Sequence, residues 1–219
     1  MHIITKKVTL LPAPLPPFRG FRLGIEVTDS DNGYGLSNGS PAEGSGSIEI
    51  DWGDGITETL AAITTNRHAY SDPGRYEVRI SDTLATFRPS APMPSSDFHS
   101  LYPKRLQSVE IDSDRLAELT NYAFIQSVNL KSVRIRTAAP LIIPNYCFAN
   151  CAALERVELP TATGFPETIV AAALPFVGCS TLREIHFAEA NKQSILGSRA
   201  YGIDPTLGTG VKDICRFDL

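Results

Sequence analysis

Between Phe21 and about Ile80 apolar and polar residues alternate with a period of two, the spacing of a strand that buries one face and wets the other. In "FRLGIEV", Leu23, Ile25 and Val27 alternate with Arg22, Gly24 and Glu26. "SIEIDW" sets Ile48, Ile50 and Trp52 against Glu49 and Asp51, and "RYEVRI" sets Tyr76, Val78 and Ile80 against Arg75, Glu77 and Arg79. The intervening "DSDNGYG", "SNGSPAEGSGS", "GDG" and "SDPG" are rich in the residues that make turns. Short strands, polar turns and almost no helix-period segment predict a small β-sandwich over residues 1–88.

The pattern changes further on. Around residues 89–103, "FRPSAPMPSSDFHSLYP" has no period and reads as a linker or an irregular cap. Beyond it, three segments superpose: "FIQSVNLKSVRI" (124–135), "FANCAALERVEL" (148–159) and "FVGCSTLREIHF" (176–187). Each reads F-x-x-[CS]-x-x-L-x-x-[VI]-x-[apolar]. "LQSVEI", with Leu106, Val109 and Ile111, is a partial earlier copy, and "VKDICRF", with Val211 and Ile214, a degraded later one. A unit of this size cannot bury its apolar side alone, whereas several stacked units can, so residues 104–219 are expected to form a short solenoid with a parallel strand ladder. The fold class is mainly β.

Two resemblances follow from these residues. Trp52, Gly53, Asp54 and Gly55 at the end of a strand, followed by His68, Tyr70, Pro73, Gly74, Tyr76 and Val78, resemble the PKD-type domain, an Ig-like sandwich in which the WGDG motif is structural. Asp54-Gly55 read alone is a hairpin turn. The repeats, best seen in Tyr146, Phe148, Cys151, Leu154, Val157 and Leu159, resemble leucine-rich repeats of the BspA type. Pro175 departs from the pattern, standing where other copies have Ala123 or Cys147. Together the resemblances imply a non-catalytic protein of a cell surface or virion, phage or prophage tails included, that recognises a surface glycan or protein. A spacer or assembly subunit, held only by partner subunits, is the alternative.

If each L-x-x-V-x-[apolar] segment is a strand, the residue between its last two apolar positions points outward. That column is Glu110, Arg134, Glu158 and His186, flanked by Lys131, Arg156 and Arg183. Alternating signs at the strand spacing suit either a mutually paired surface ladder or a polar recognition stripe.

Composition narrows the partners. A net charge of -4 and no long Lys/Arg tract give no general attraction to phosphate, so nucleic acid is not expected. No apolar run approaches the roughly 20 residues that cross a bilayer, so membrane insertion is not expected either. Pro12, Pro14, Pro16 and Pro17 break up the N-terminal apolar stretch, which makes a poor secretory signal. An extracellular site then calls either for an export signal outside this sequence or for another export route, such as carriage on an assembled particle.

Candidate chemistry is sparse. Asp29 and Asp31, with Asn32 and Gly33, are a fragment of a calcium loop that lacks its further ligands, and a solvated turn is the plainer reading. Cys147, Cys151, Cys179 and Cys215 lack paired Cys-x-x-Cys knuckles. Disulfides stay open, with buried thiols as the default reading. Asp51 and Asp54 straddle a turn with no opposing carboxylate, and His2, His68, His99 and His186 sit in no nucleophile motif, so neither catalysis nor a cofactor is expected.

Overall fold

Alternation in the first strand, β1 (Gly20–Val27), buries Phe21, Leu23, Ile25 and Val27 at 1% exposure or less and leaves Arg22 and Glu26 outside. The computed structural model describes residues 18–28, 33–41, 46–87, 102–164, 175–197 and 214–219. In the first half, β1 is followed by β2 (Gly33–Pro41), β3 (Ile48–Asp51), β4 (Thr57–Leu60), β5 (Ile63–Ala69), β6 (Gly74–Ile80) and β7 (Leu84–Phe87). The short helix α1 (Tyr102–Arg105) leads into β8 (Leu106–Ser113) and β9 (Glu118–Leu119). The repeats then supply β10 (Ser132–Thr137), β11 (Leu141–Ile142), β12 (Arg156–Leu159), β13 (Ala162–Gly164), β14 (Glu184–Phe187), α2 (Lys192–Gly197) and β15 (Cys215–Phe217).

The molecule is mainly β and is organised by one nine-stranded sheet of order β15-β14-β12-β10-β8-β1-β6-β3-β4. From β15 to β8 the strands run parallel; at β1 the sheet turns antiparallel and stays so to β4. A second layer, β5-β2-β7-β9, faces the first, with the Phe21 and Phe87 rings 4.6 Å apart across the core. Both layers cross from one half of the chain to the other. β1 pairs with β8 from Gly20↔Asp112 to Ile25↔Leu106, and β7 pairs with β9 at Thr86↔Glu118 and Phe87↔Leu119. The core is correspondingly a single cluster that includes Leu23, Trp52, Phe148 and Phe187. The change of pattern near residues 89–103 is therefore not a break in the sheet; residues 88–101 themselves lie outside those described.

In the repeats, identical positions stack into columns. Phe124, Phe148 and Phe176 lie ring on ring at 5.2 Å, within 6° of parallel. Beside them the Phe124 N–H donates to Cys147 O at 2.7 Å and the Phe148 N–H to Pro175 O at 2.8 Å. Pro175 keeps the carbonyl that links the repeats and forgoes the N–H with which Ala123 and Cys147 donate to Thr120 O and Pro144 O. Gln126, Asn150 and Gly178 occupy the next column with φ of 59°, 60° and 77°. That turn requires left-handed backbone, which asparagine and glycine adopt most readily.

Two expectations are corrected. The end of "DSDNGYG" and the start of "SNGSPAEGSGS", both expected as turns, join through Leu36 into β2, hydrogen-bonded between β5 and β7. Pairing on both sides outweighs weak strand propensity, Tyr34 and Leu36 reach the core, and the buried Arg105 guanidinium donates to Gly33 O. In the last copy, Cys215 and Phe217 align with Ile185 and Phe187, so Ile214 falls one residue out of register. A slip of one residue exchanges the faces of a strand, which is why the degraded copy misled. Val211 lies outside the described residues.

Candidate functional site

The inner face of the large sheet packs on the core; the outer face carries a row of charge. Register places Glu110 beside Arg134, Arg134 beside Glu158, and Glu158 beside His186, as the alternation of the repeats implies. The row continues at both ends. Arg216 follows His186, while Arg22, Arg79 and Asp51 extend it from Glu110 across β1, β6 and β3. Arg22 and Arg79 were visible as outward positions of their own strands. Their membership of the row depends on β1 pairing with β8, for which the sequence carries no signal.

Neighbouring charges are linked. Arg22 Nη1 lies 3.4 Å from Glu110 Oε2. Arg156 Nε meets Glu158 Oε1 at 3.0 Å and its Nη1 meets Glu184 Oε2 at 3.0 Å. Arg136 pairs with Asp112, which also receives Arg19 Nη1 at 3.0 Å. Arg134, at the middle of the row, is loosely engaged: among the described residues its ion-pair partner is Glu158, with Nε to Oε2 at 3.5 Å, and its side chain is 58% exposed. Lys131 and Arg183 are exposed at the strand entrances, where Lys131 O accepts the Glu155 N–H and Glu155 O accepts the Arg183 N–H. Beside Arg134, Ser108 and Ser132 leave a depression of about 310 Å³ walled by Glu110, Arg134, Arg156 and Glu158.

His186 departs from the displayed column. It belongs to the row by register but is only 6% exposed, held between Asp218 Oδ1, 2.7 Å from Nδ1, and Glu184 Oε2, 3.1 Å from Nε2. The chain leaving β15 brings Asp218 over it, a contact invisible to a reading of β14 alone. The hydrogen bond to His186, with attraction to the imidazole and to Arg156, holds the Glu184 carboxyl below its ordinary range.

The WGDG segment closes the β3–β4 hairpin, with the Trp52 N–H donating to Ile56 O at 3.0 Å. Asp51 and Asp54 each accept a backbone N–H two residues on, from Gly53 at 2.9 Å and Ile56 at 3.1 Å. Gly53 has φ of 84°, and a Cβ there would sit 2.6 Å from Glu77 O, so no side chain fits. Gly55, also at positive φ, has open space around it. Asp54 Oδ2 lies 2.7 Å from His68 Nε2, the His68 ring stacks on Trp52 at 5.0 Å, and the Tyr70 hydroxyl donates to Trp52 O at 3.0 Å. Burial works to raise the Asp54 carboxyl, but the His68 and Ile56 hydrogen bonds and attraction to His68 outweigh it and leave it below its ordinary value. Asp51 and Asp54 are thus both engaged in the turn.

All four cysteines are buried free thiols. Cys151 and Cys179 donate to Phe124 O and Phe148 O of the preceding repeat, each at 3.0 Å, and Ser127 occupies the same column. Burial pushes the Cys147 and Cys151 thiols well above their ordinary range, away from nucleophilic chemistry. Among the described residues no group of three or more His, Cys, Asp or Glu is placed to hold a metal, and no helix is long and apolar enough to cross a membrane. Asp29 and Asp31 lie outside the described residues.

Comparison with known proteins bears on the repeats. Residues 98–201 match the family model of the BspA type leucine-rich repeat region, in 6 copies, so this stretch carries leucine-rich repeats of that type. The matched residues begin beyond the segments on which the PKD-type resemblance rests. No curated protein and no solved structure matches the chain.

Proposed function

We propose that the protein is a non-catalytic recognition module that presents the outer face of its large sheet to a glycan or protein on a cell surface. The observation that carries this reading is the charged row, continuous over both halves, with the loosely held Arg134 beside the depression at Ser108 and Ser132. A planar guanidinium with spare donors suits carboxylates and carbonyls of a partner. Lys131 and Arg183 add cations at the strand entrances, and Arg156 and Glu158 form part of the wall. In this reading the first half acts as a PKD-like rigid extension of the repeats, and carriage on a phage or prophage tail is one setting in which such a module meets a cell.

The second reading, a spacer or assembly subunit, is favoured by one observation: most charges of the row already satisfy each other, as a solvated face without an external ligand requires. Titrating the purified, fluorescently labelled chain onto bacterial cells separates the two. Saturable binding that Arg134→Glu abolishes while circular dichroism and melting stay unchanged is the expected result. A folded protein that binds no surface, or a variant that binds undiminished, would remove the recognition stripe and leave the assembly subunit.

A further inference from the structure

The repeats hold a second concavity, away from the charged row. It opens where β9, tied to β7 of the first half, meets β11, and it has a volume of about 580 Å³. That falls within the span of small-ligand sites. Its polar wall is Glu118, Thr120 and Asn121, and its apolar wall is Tyr122, Ile142 and Pro144. Glu118 and Asn121 are exposed, and Ile142, at 49% exposure, is one of the few large apolar side chains left in solvent. Thr120 Oγ1 is buried and has no hydrogen-bond partner among the described residues.

The tyrosine wall is preset. Tyr122 holds φ of 65°, unusual for an aromatic residue, and its N–H donates to Asn145 O at 3.2 Å. Its ring lies 5.1 Å from that of Tyr146 and within 9° of parallel. A ligand therefore meets a fixed aromatic wall, and the ordering needed on binding is that of the exposed Glu118 and Asn121 side chains.

From this chemistry we infer that the concavity is a subsite for a neutral pyranose. The Glu118 carboxylate and the Asn121 amide together offer the mixed acceptors and donors that sugar hydroxyls need, while Ile142, Pro144 and the tyrosine offer an apolar wall for the C–H face of the ring. Among the described residues no cation lines the site, so an anionic sugar finds no counter-charge from them. The inference does not rest on the outer-face reading, because the two sites share no residue.

Saturation-transfer NMR on the full chain tests it, with glucose, galactose, mannose and N-acetylglucosamine as neutral probes, glucuronic acid as the anionic control and N-acetyl-lysine amide as the basic side-chain control. The expected result is transfer to the ring protons of at least one neutral sugar. Affinity should fall on the order of tenfold in Glu118→Gln and in Asn121→Ala, both exposed positions, and stay unchanged in Arg75→Ala, an exposed position of β6 outside both sites. Absence of transfer to every neutral sugar, equal transfer in the two variants, or a preference for the lysine amide would each overturn it. Loss in Arg134→Glu alone would move the sugar to the outer face.

Discussion

The two halves share a sheet but are held together by opposite strategies. In the first half a set of unlike residues is used once: Trp52, Asp54, His68 and Tyr70 interlock through a stack, a charged hydrogen bond and a hydroxyl to a carbonyl. In the repeats one residue type is used again and again, as in the column of Phe124, Phe148 and Phe176 and the thiols that donate to their carbonyls. A unique cluster has no substitute for a lost member. A column distributes the loss over neighbours that make the same contacts, in the manner of a one-dimensional array.

The largest test of this contrast removes Trp52. Trp52→Ala should cost about 4 kcal/mol, measured by urea unfolding, because a fully buried indole leaves a cavity and strips His68 of its stacking partner. As β1 pairs with both β6 and β8, the loss should show in the repeats as well, as a single shifted transition. Separate transitions for the two halves would mean that the shared sheet does not couple them. Phe148→Ala comes next, at about 3 kcal/mol, with amide exchange in the repeats on both sides accelerated more than in the Trp52 cluster. Collapse of the cluster in that variant would undo the contrast.

The smallest effect sharpens it through pH. The Asp54 carboxyl is depressed in the folded state, so its stabilisation is complete above the unfolded value near roughly pH 4 and disappears as pH falls through the lower folded value. Asp54→Asn should cost about 1 to 2 kcal/mol at neutral pH and flatten this acid limb of the stability curve. An unchanged limb would assign acid sensitivity elsewhere, with Glu184 beside His186 the next carboxyl to replace.

The same difference decides what can be read from the sequence. In the repeats each column is written several times, so Val109, Val133, Val157 and Ile185 announce their alignment, and the charged positions between apolar ones follow. Where a copy has decayed, as at β15, the register slips. In the first half β1, β3 and β6 are legible because alternation is a local property. β2 is not, since its place between β5 and β7 is decided by distant partners while its own glycines and serines argue for a turn. Of the outer face, Glu110, Arg134 and Glu158 were legible, whereas the burial of His186 under Asp218 and the entry of Arg22 and Arg79 into the row required the third dimension. The concavity at Glu118 and Asn121 left no trace in periodicity, because turn residues repeat only loosely.

Within the repeats, though not at the Arg22–Arg79 pair of the first half, the row alternates in sign, and this constrains how the gene can lengthen or shorten. Deleting the unit that carries β10 would bring Glu110 against Glu158, and duplicating the unit that carries β12 would set one glutamate beside its own copy, about 4.8 Å away in either case. Like charges directly opposite on neighbouring strands are destabilising. Gain or loss of two units at a time preserves the alternation. Copy number in this lineage is therefore expected to drift by even steps, with odd steps accompanied by a charge reversal in the row.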